Sequence, residues 1–509
     1  TSLGADLSSM SLNPAGLGMY RRNEISLTPL VPMAKASTAG TASWKGNSKS
    51  QFAFANVGVA LNVFESSRSS LTSLTLGIGM NRIADFNSRY SYKTDTPYAG
   101  GSVWAPTIAD IFGQQLGQAG IFPNGNDELG YNVNPYYWPA VLGYNGFMIS
   151  RHFYTDPETQ EEKPTYVPDC IGSNASILHY MDVVNSGSIN EFTISAGANL
   201  NNIVYIGATI GIQSVHKATG VYYGEDYRYD HGQAINSAGE ELETQLDYAD
   251  LYQKSVLDGS GVNFKLGVTV RPIESLRIGV AFHTPTYYSL DRKFQSAAAG
   301  LAYANNDTDP NVTPDKNGYI STANDPNMTS PLLVDDGPNG WSFVSPTRLM
   351  FGASYTFGER GVISVDYERD WYNGIRIKDN PSGLDSQSWY NDSFRQNFKA
   401  SNIVRVGAEF KPLPVLSLRA GFGYSGSMVR DDEFPPASPV IKQTTYYGAG
   451  VGFVLSRGVL LDLAYQYVSS KLSDYYLFYA EDKVGYTESA LYSTDINRHN
   501  VALTLGFRF

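Results

Sequence analysis

The chain has 509 residues, with 37 Lys and Arg against 49 Asp and Glu, a formal charge of −12 at pH 7. Charged residues are only 17% of it while Tyr (36) and Phe (24) are abundant, which excludes a disordered chain. The acidic balance excludes the basic face of a nucleic-acid binder, and a lone cysteine, Cys170, excludes an internal disulfide framework and a cysteine-cluster metal site.

No stretch reaches the roughly 18 consecutive apolar residues of a membrane-spanning helix. Thr1 to Pro14 has neither the basic region nor the apolar run of a secretory signal, so the N-terminus reads as processed or incomplete. The informative signal is an alternation of period two. In Leu74-Thr75-Leu76-Gly77-Ile78-Gly79-Met80-Asn81 the even positions are apolar and the odd ones small or polar. Val204 to Gln213, Val262 to Val270 and Leu461 to Tyr467 repeat it. Successive strand side chains point to opposite faces, so each segment has one apolar face and one polar or small face. Segments of this length suit tilted strands that cross a bilayer, and Tyr and Phe near many of their ends suit an interfacial girdle. A large soluble all-β protein is the alternative.

In chain order the segments are 24–33, 49–63, 70–86, 188–199, 203–214, 261–271, 276–290, 345–357, 361–374, 400–411, 416–427, 443–455, 459–471 and 497–509. Their number, fourteen, is even, as bacterial single-chain barrels require. Short connections (Glu65–Ser69, Asn201–Asn202, Pro272–Ser275, Gly358–Arg360, Pro412–Val415, Ser456–Gly458) alternate with long ones at 34–48, 87–187, 215–260, 291–344, 375–399, 428–442 and 472–496. Short turns face the periplasm and long loops the outside in outer-membrane barrels, which puts both chain ends on the periplasmic side. The last segment alternates without a break from Val501 to Phe509 and stops on an aromatic residue, which resembles the C-terminal strand signal of outer-membrane barrels. The expected fold is all-β: a 14-stranded antiparallel transmembrane β-barrel with long extracellular loops, in the outer membrane of a Gram-negative bacterium.

The segment Ala5-Asp6-Leu7-Ser8-Ser9-Met10-Ser11-Leu12-Asn13-Pro14-Ala15-Gly16-Leu17 is not strand-like. It resembles the Asn-Pro-Ala segment of the FadL-type long-chain fatty acid and hydrophobic-compound outer-membrane transporters. Gly259 to Gly267, Pro272 and Leu276 to Gly279 are similar to that family's strand-turn-strand pattern. So are Ser345 to Gly352 with Asp366 and Trp371, and Val404 to Pro412 followed by Leu416 to Tyr424. The order and spacing of these pieces carry the resemblance, over the N-terminus and most of the chain after about residue 190. The resemblance implies a barrel (24–509) plugged by an N-terminal hatch (1–23), with Asn13, Pro14, Ala15 and Gly16 inside the lumen. That family usually has a further small-residue-rich stretch ahead of the Asn-Pro-Ala, and this chain begins too late to show it.

The resemblance further implies passive transport of hydrophobic or amphipathic molecules, long-chain fatty acids by family default, with lateral exit where the third strand kinks. Here the alternation fails after Asn81: Ile83 and Phe86 leave the parity of Leu74 to Met80. Either a bulge opens a side window there, or the strand ends near Asn81. In the 87–187 loop, Ile108, Ile111, Phe112 and Leu116 stand at helical spacing. Such a helix would capture an acyl chain or pack against other loops. Tyr131, Tyr136, Tyr137, Trp138, Tyr144 and Phe147 add aromatic surface.

Asp307, Asp309, Asn311, Asp315 and Asn317 offer oxygen ligands, but without the glycine and terminal Glu of an EF-hand they read as a solvated acidic turn. The run Gly239 to Glu243, with Asp226, Asp230, Asp247 and Asp250, reads as a solvated extracellular loop. The six histidines are scattered, and no nucleophile elbow, P-loop or dinucleotide fingerprint occurs. No catalytic role, metal or cofactor is expected. The expected partners are a hydrophobic small molecule such as a fatty acid, and outer-membrane lipids and lipopolysaccharide. Other outer-membrane or periplasmic proteins enter under the alternative function, a structural subunit of a secretion or barrel-assembly machine. An outer-membrane lipase is a third reading, for which no motif is present.

Overall fold

A computed structural model describes residues 2, 4, 6–39, 47–96, 107–124, 129–229, 232–236, 238–304, 319–321, 328–337, 340–379, 387–430, 439–476, 479–481, 486–488 and 491–509. The acidic turn at 307–317 lies outside the described residues. Each alternating segment is a stave of one closed antiparallel barrel: β1 (Glu24–Thr38), β2 (Ala53–Glu65), β3 (Leu71–Asp85), β4 (Ala175–Leu200), β5 (Val204–Tyr229), β6 (Thr244–Ile273) and β7 (Leu276–His283, continued by Tyr287–Ala304). The second half is β8 (Arg348–Phe357), β9 (Gly361–Trp371), β10 (Ala400–Leu413), β11 (Leu416–Ser425), β12 (Ile441–Ser456), β13 (Val459–Leu472) and β14 (Thr494–Arg508). Neighbours in sequence pair with each other, and β14 pairs back onto β1 from Glu24–Arg508 to Thr38–Thr494, which closes the fourteen-stranded barrel.

The outward faces of these staves are apolar. Leu76, Ile78, Phe192, Ile194, Ile206, Ile210, Phe264, Leu266, Phe351, Val365, Val406, Phe422, Leu463 and Phe507 are all exposed there. The inward faces carry Thr193, Ser195, Thr209, Asn263, Thr269 and glycines. Apolar outside and polar inside is the polarity of a membrane-spanning barrel. Between β4 and β5, Asn201 and Asn202 both have positive φ (53° and 57°), and Ile203 N–H donates to Leu200 C=O at 3.0 Å. This is the tight turn that two small amide residues make without strain.

Four staves run well beyond the expected ends. β4, β5, β6 and β7 continue through 175–187, 215–229, 244–260 and 291–304, which the alternation assigned to loops. The apolar parity inverts there. Below, the apolar side chains point out; above, Leu246, Ala249, Leu251, Val215, Tyr223 and Tyr227 are buried on the inner face. Asp226 and Asp250 are therefore strand residues, accepting from Tyr180 Oη (2.5 Å) and Tyr222 Oη (2.6 Å). The inner face of this extension is covered by the 107–171 insert. Helix α1 (Ile108–Gln118), helix α2 (Trp138–Asn145), the hairpin Ser150–Thr155/Glu162–Val167 and the link before it supply Ala109, Phe112, Leu116, Ala140, Val141, Leu142, Tyr166 and Met148. They form one hydrophobic core with Ile177, Leu246, Ala249, Leu251 and Ala298 of the wall.

Leu142 is fully buried in that core. Leu142→Ala is expected to destabilise the insert by about 2–5 kcal/mol. Hydrogen exchange should show faster opening across 107–171, while amides of β8–β14 keep their protection.

Candidate functional site

The N-terminal segment lies against the inner faces of β3–β6. A single helical turn (Ser9–Leu12) is followed by a 3₁₀ helix over Pro14–Met19. Asn13 caps the second element: its Oδ1 accepts from Ala15 N–H at 3.1 Å, and Pro14 occupies the first position, where a missing N–H costs nothing. Asn13 Nδ2 donates to Thr269 Oγ1 of β6 at 3.2 Å. Pro14, Ala15, Gly16 and Leu17 are all buried. Gly16 packs on Ser9 and Gly4, where a side chain would collide. The wall makes room with glycine: Gly77 and Gly79 face Met10, Gly197 faces Leu17, Gly207 faces Pro14 and Gly267 faces Asn13.

A buried ion pair, Glu191 of β4 with Lys265 of β6, anchors this contact. Glu191 also accepts from Gln213 Nε2 (2.9 Å) and Asn263 Nδ2 (3.2 Å), so the lone pairs of the carboxylate are used. Ser11 Oγ donates to Glu191 Oε2 at 2.9 Å and accepts from Asn81 Nδ2 at 2.8 Å. His283 Nε2 donates to the Leu12 carbonyl at 2.8 Å. None of Glu191, Lys265, His283 or Ser11 stood out in the sequence. The one available signal was Glu191 and Lys265 standing at inward parity on strands whose outward neighbours are apolar.

Asn81 is also where the β2–β3 ladder stops. Among the described residues the last pair is Asn56–Asn81. Beyond it β2 stays with β1, while β3 stays with β4 through a bulge between Arg82 and Ala84. Arg82 still pairs in register with Asn190, and its side chain is largely covered, 2.8 Å from Asp85; Ile83, the extra residue that follows, is exposed. Phe86 donates its N–H to Gly187 C=O (3.0 Å) and lies 5.6 Å under the Lys217 ammonium. Then Ser88–Thr96 resumes pairing on β4. Above the break, Ser91 N–H and Oγ donate to Asn47 Oδ1 (3.0 and 2.9 Å) and Lys49 Nζ to Asn185 C=O (2.7 Å). The unpaired stretch is thus bounded above and below, with exposed Phe52 and Phe54 on one edge and Ile83 on the other.

The helix expected around Ile108 to Leu116 is present as α1, but its apolar face is not free. Phe112 and Leu116 are in the insert core, and Ile111 packs with Ile108 on Tyr223. These four residues pack, rather than present a capture surface. Glu225 docks the helix N-terminus. It is buried and accepts from Ile108 N–H (3.0 Å) and Tyr227 Oη (2.7 Å), with Tyr223 Oη also donating. Burial alone would raise its pKa; His179 beside it and the two tyrosine hydroxyls hold it below the ordinary value.

Fold and site together define a closed fourteen-stranded barrel with a side-chain-latched N-terminal segment inside it and one interrupted ladder in its wall. No family model and no curated protein matches the chain. Solved structures do match over its whole length. The toluene transporter TodX of P. putida covers 100% of this chain and 96% of its own at 10% identity, TM-score 0.49. A Pseudomonas aeruginosa FadL homologue (11%, 100% and 95%, TM-score 0.49) and the Ralstonia pickettii toluene transporter TbuX (14%, 100% and 95%, TM-score 0.47) are similar to it as well.

Two outcomes are expected. Gly267→Val places a side chain into Asn13 and should expel the N-terminal segment, read as new trypsin cleavage at Arg21 and Arg22 in folded barrels. Glu225→Gln should weaken docking of α1 by about 1–3 kcal/mol. Because the folded pKa of Glu225 is depressed, its contribution is present above the unfolded value of about 4.3 and lost as pH falls through the folded one. Hydrogen exchange of Ile108–Gln118 against pH should therefore show protection persisting below that value in the wild type.

Proposed function

We propose that this protein is a passive outer-membrane transporter of hydrophobic or amphipathic small molecules, of the FadL type. The observation that carries the reading is the interrupted β2–β3 ladder beside the latched N-terminal segment. Hydrophobic molecules gain nothing from crossing a water-filled pore, whereas a gap in the wall returns them to hydrocarbon. The break is lined by Phe52, Phe54 and Ile83, and its lower corner, Asn81, is bonded through Ser11 to the internal segment. In this reading residues 1–23 are the hatch and Asn13 and Pro14 fix its turn. Residues Asn81, Ile83 and Phe86 mark the lateral exit. Met10 and Leu17, packed on the glycines of β3 and β4, offer apolar contact on the way. The outer membrane of a Gram-negative bacterium is the compartment, with the short turns and both ends periplasmic. Long-chain fatty acids remain the substrate class that the resemblance names. The role is transport, with no chemical step.

The alternative, a subunit of a larger outer-membrane machine, draws on the hairpin Ser150–Val167, which holds Phe153 and Tyr154 out to solvent. Native mass spectrometry from the source membrane separates the two: small lipid-sized adducts on a single chain favour transport, and a stable assembly without them favours the subunit.

The side exit is tested by deleting Ile83, which removes the bulged residue and brings Arg82 and Ala84 into register on β4. Uptake of a labelled long-chain fatty acid by cells that lack other transporters should fall at least several-fold at equal amounts of folded barrel. Unchanged uptake would sink lateral exit near the third strand.

A further inference from the structure

Above Asn81 the end of β3 is held by a side chain from a stave it does not touch. Residues 82–87 form a turn bonded to itself. The Asp85 carboxylate accepts from Arg82 Nη1 (2.8 Å), Asn87 N–H (3.0 Å) and Asn87 Nδ2 (3.1 Å). The Asp85 carbonyl is taken by Nη1 of Arg498, on β14. Arg498 stands at the inward parity of β14, whose outward residues Leu503 and Phe507 are exposed. Its ladder partner on β1 is Ala34, and Ala34 and Ala36 are both buried. Side chains this small leave a long one free to pass along the inner face of β1. Arg498 thereby reaches β3 past β1 and past Ser48–Ser50, the short strand paired with the upper part of β1. A second cation braces the same place: Lys49 Nζ donates to Asn185 C=O of β4 (2.7 Å).

We propose that Arg498 is a positioning residue of the side exit: through the Asp85 turn it holds residues 82–87 on the lumen side of β2, and so keeps the gap between Phe52 and Ile83 open. The assignment rests on the side-exit reading, which the test keeps separate. A guanidinium on a carbonyl makes a charge-assisted hydrogen bond, and its planar fork fixes direction as well as distance. Without it the Asp85 carbonyl has to find another donor, and the edge of β2 across the gap offers backbone N–H groups.

The test uses the full-length protein in lipid nanodiscs. Nitroxide labels are placed at Phe52→Cys and Ile83→Cys in a Cys170→Ser background, and their separation is read by pulsed electron resonance. Arg498→Met should shift the separation to shorter values. Arg498→Lys keeps the cation and should restore most of it. Asp85→Ala loosens the same turn from its other end and should shift the separation in the same sense. The double variant should shift it no further than the larger single change, as expected of two residues acting through one contact. Arg419→Met removes an arginine of the far wall, bonded to Glu409 and Asp462, and should shift nothing. Should Arg498→Met fail to fold, Asp85→Ala carries the test. A separation unmoved in the folded variants at 498 and 85 would overturn the proposal. Fatty-acid uptake, measured on the same variants without labels, should fall several-fold in Arg498→Met. A shifted separation with unchanged uptake would support the positioning role and count against the exit itself.

Discussion

Everything in this structure follows from the demand that backbone N–H and C=O groups facing hydrocarbon find partners within the chain. The demand is met by closure of β14 onto β1, where Asn23 and Phe509 exchange both backbone hydrogen bonds at 3.1 Å. Among the described residues the wall relaxes it most plainly between β2 and β3. There the partners of the freed edges come from elsewhere: Gly187 for Phe86, Pro32 for Gln51, and the side chains of Asn47 and Lys49 across the gap. A break that keeps its remaining edges bonded can persist in a membrane, whereas a frayed one could not.

The lumen shows a comparable division of labour. On one side glycines let a folded segment approach the wall, and an ion pair, Glu191 with Lys265, whose carboxylate also accepts from Ser11, Gln213 and Asn263, fixes where it sits. Removing either partner would leave a buried charge without compensation, so the pair specifies position more than it adds stability. On the other side no described residue of that segment lies against the inward Gly407, Gly421, Gly448 and Gly450. One sequence feature, small residues at inward parity, thus has two opposite consequences, set by whether the internal segment reaches that stave.

Much of this was legible in the sequence. All fourteen segments coincide with staves, and the short connections all lie at one end, because alternation is imposed wherever a strand has hydrocarbon on one face. The ends of β4, β5, β6 and β7 were missed for the same reason. Above the apolar belt the outer face is wet, Tyr222, Asp226 and Asp250 occupy it, and apolar residues move to the inner face under the helical insert. The alternation there is inverted, not absent. Asn13 and Pro14 were singled out by the family resemblance, and the bulge at Ile83 was one of the two readings of a parity failure. Glu191, Lys265, His283 and Glu225 were not, since their meaning comes from contacts between residues far apart in the chain. The helix over Ile108–Gln118 was visible from its spacing, but spacing alone does not tell a face that packs from one that captures.

The long staves have a consequence for where the protein meets its surroundings. β5 has 26 residues, and only about 10 are needed to cross a bilayer at the usual tilt. At ~3.3 Å per residue and a tilt of ~40°, the remaining part of the stave rises on the order of 40 Å above the hydrocarbon. The helical insert caps the barrel at that height. Whatever approaches the barrel from that side therefore first meets a tower of protein, with the lipid boundary far below it.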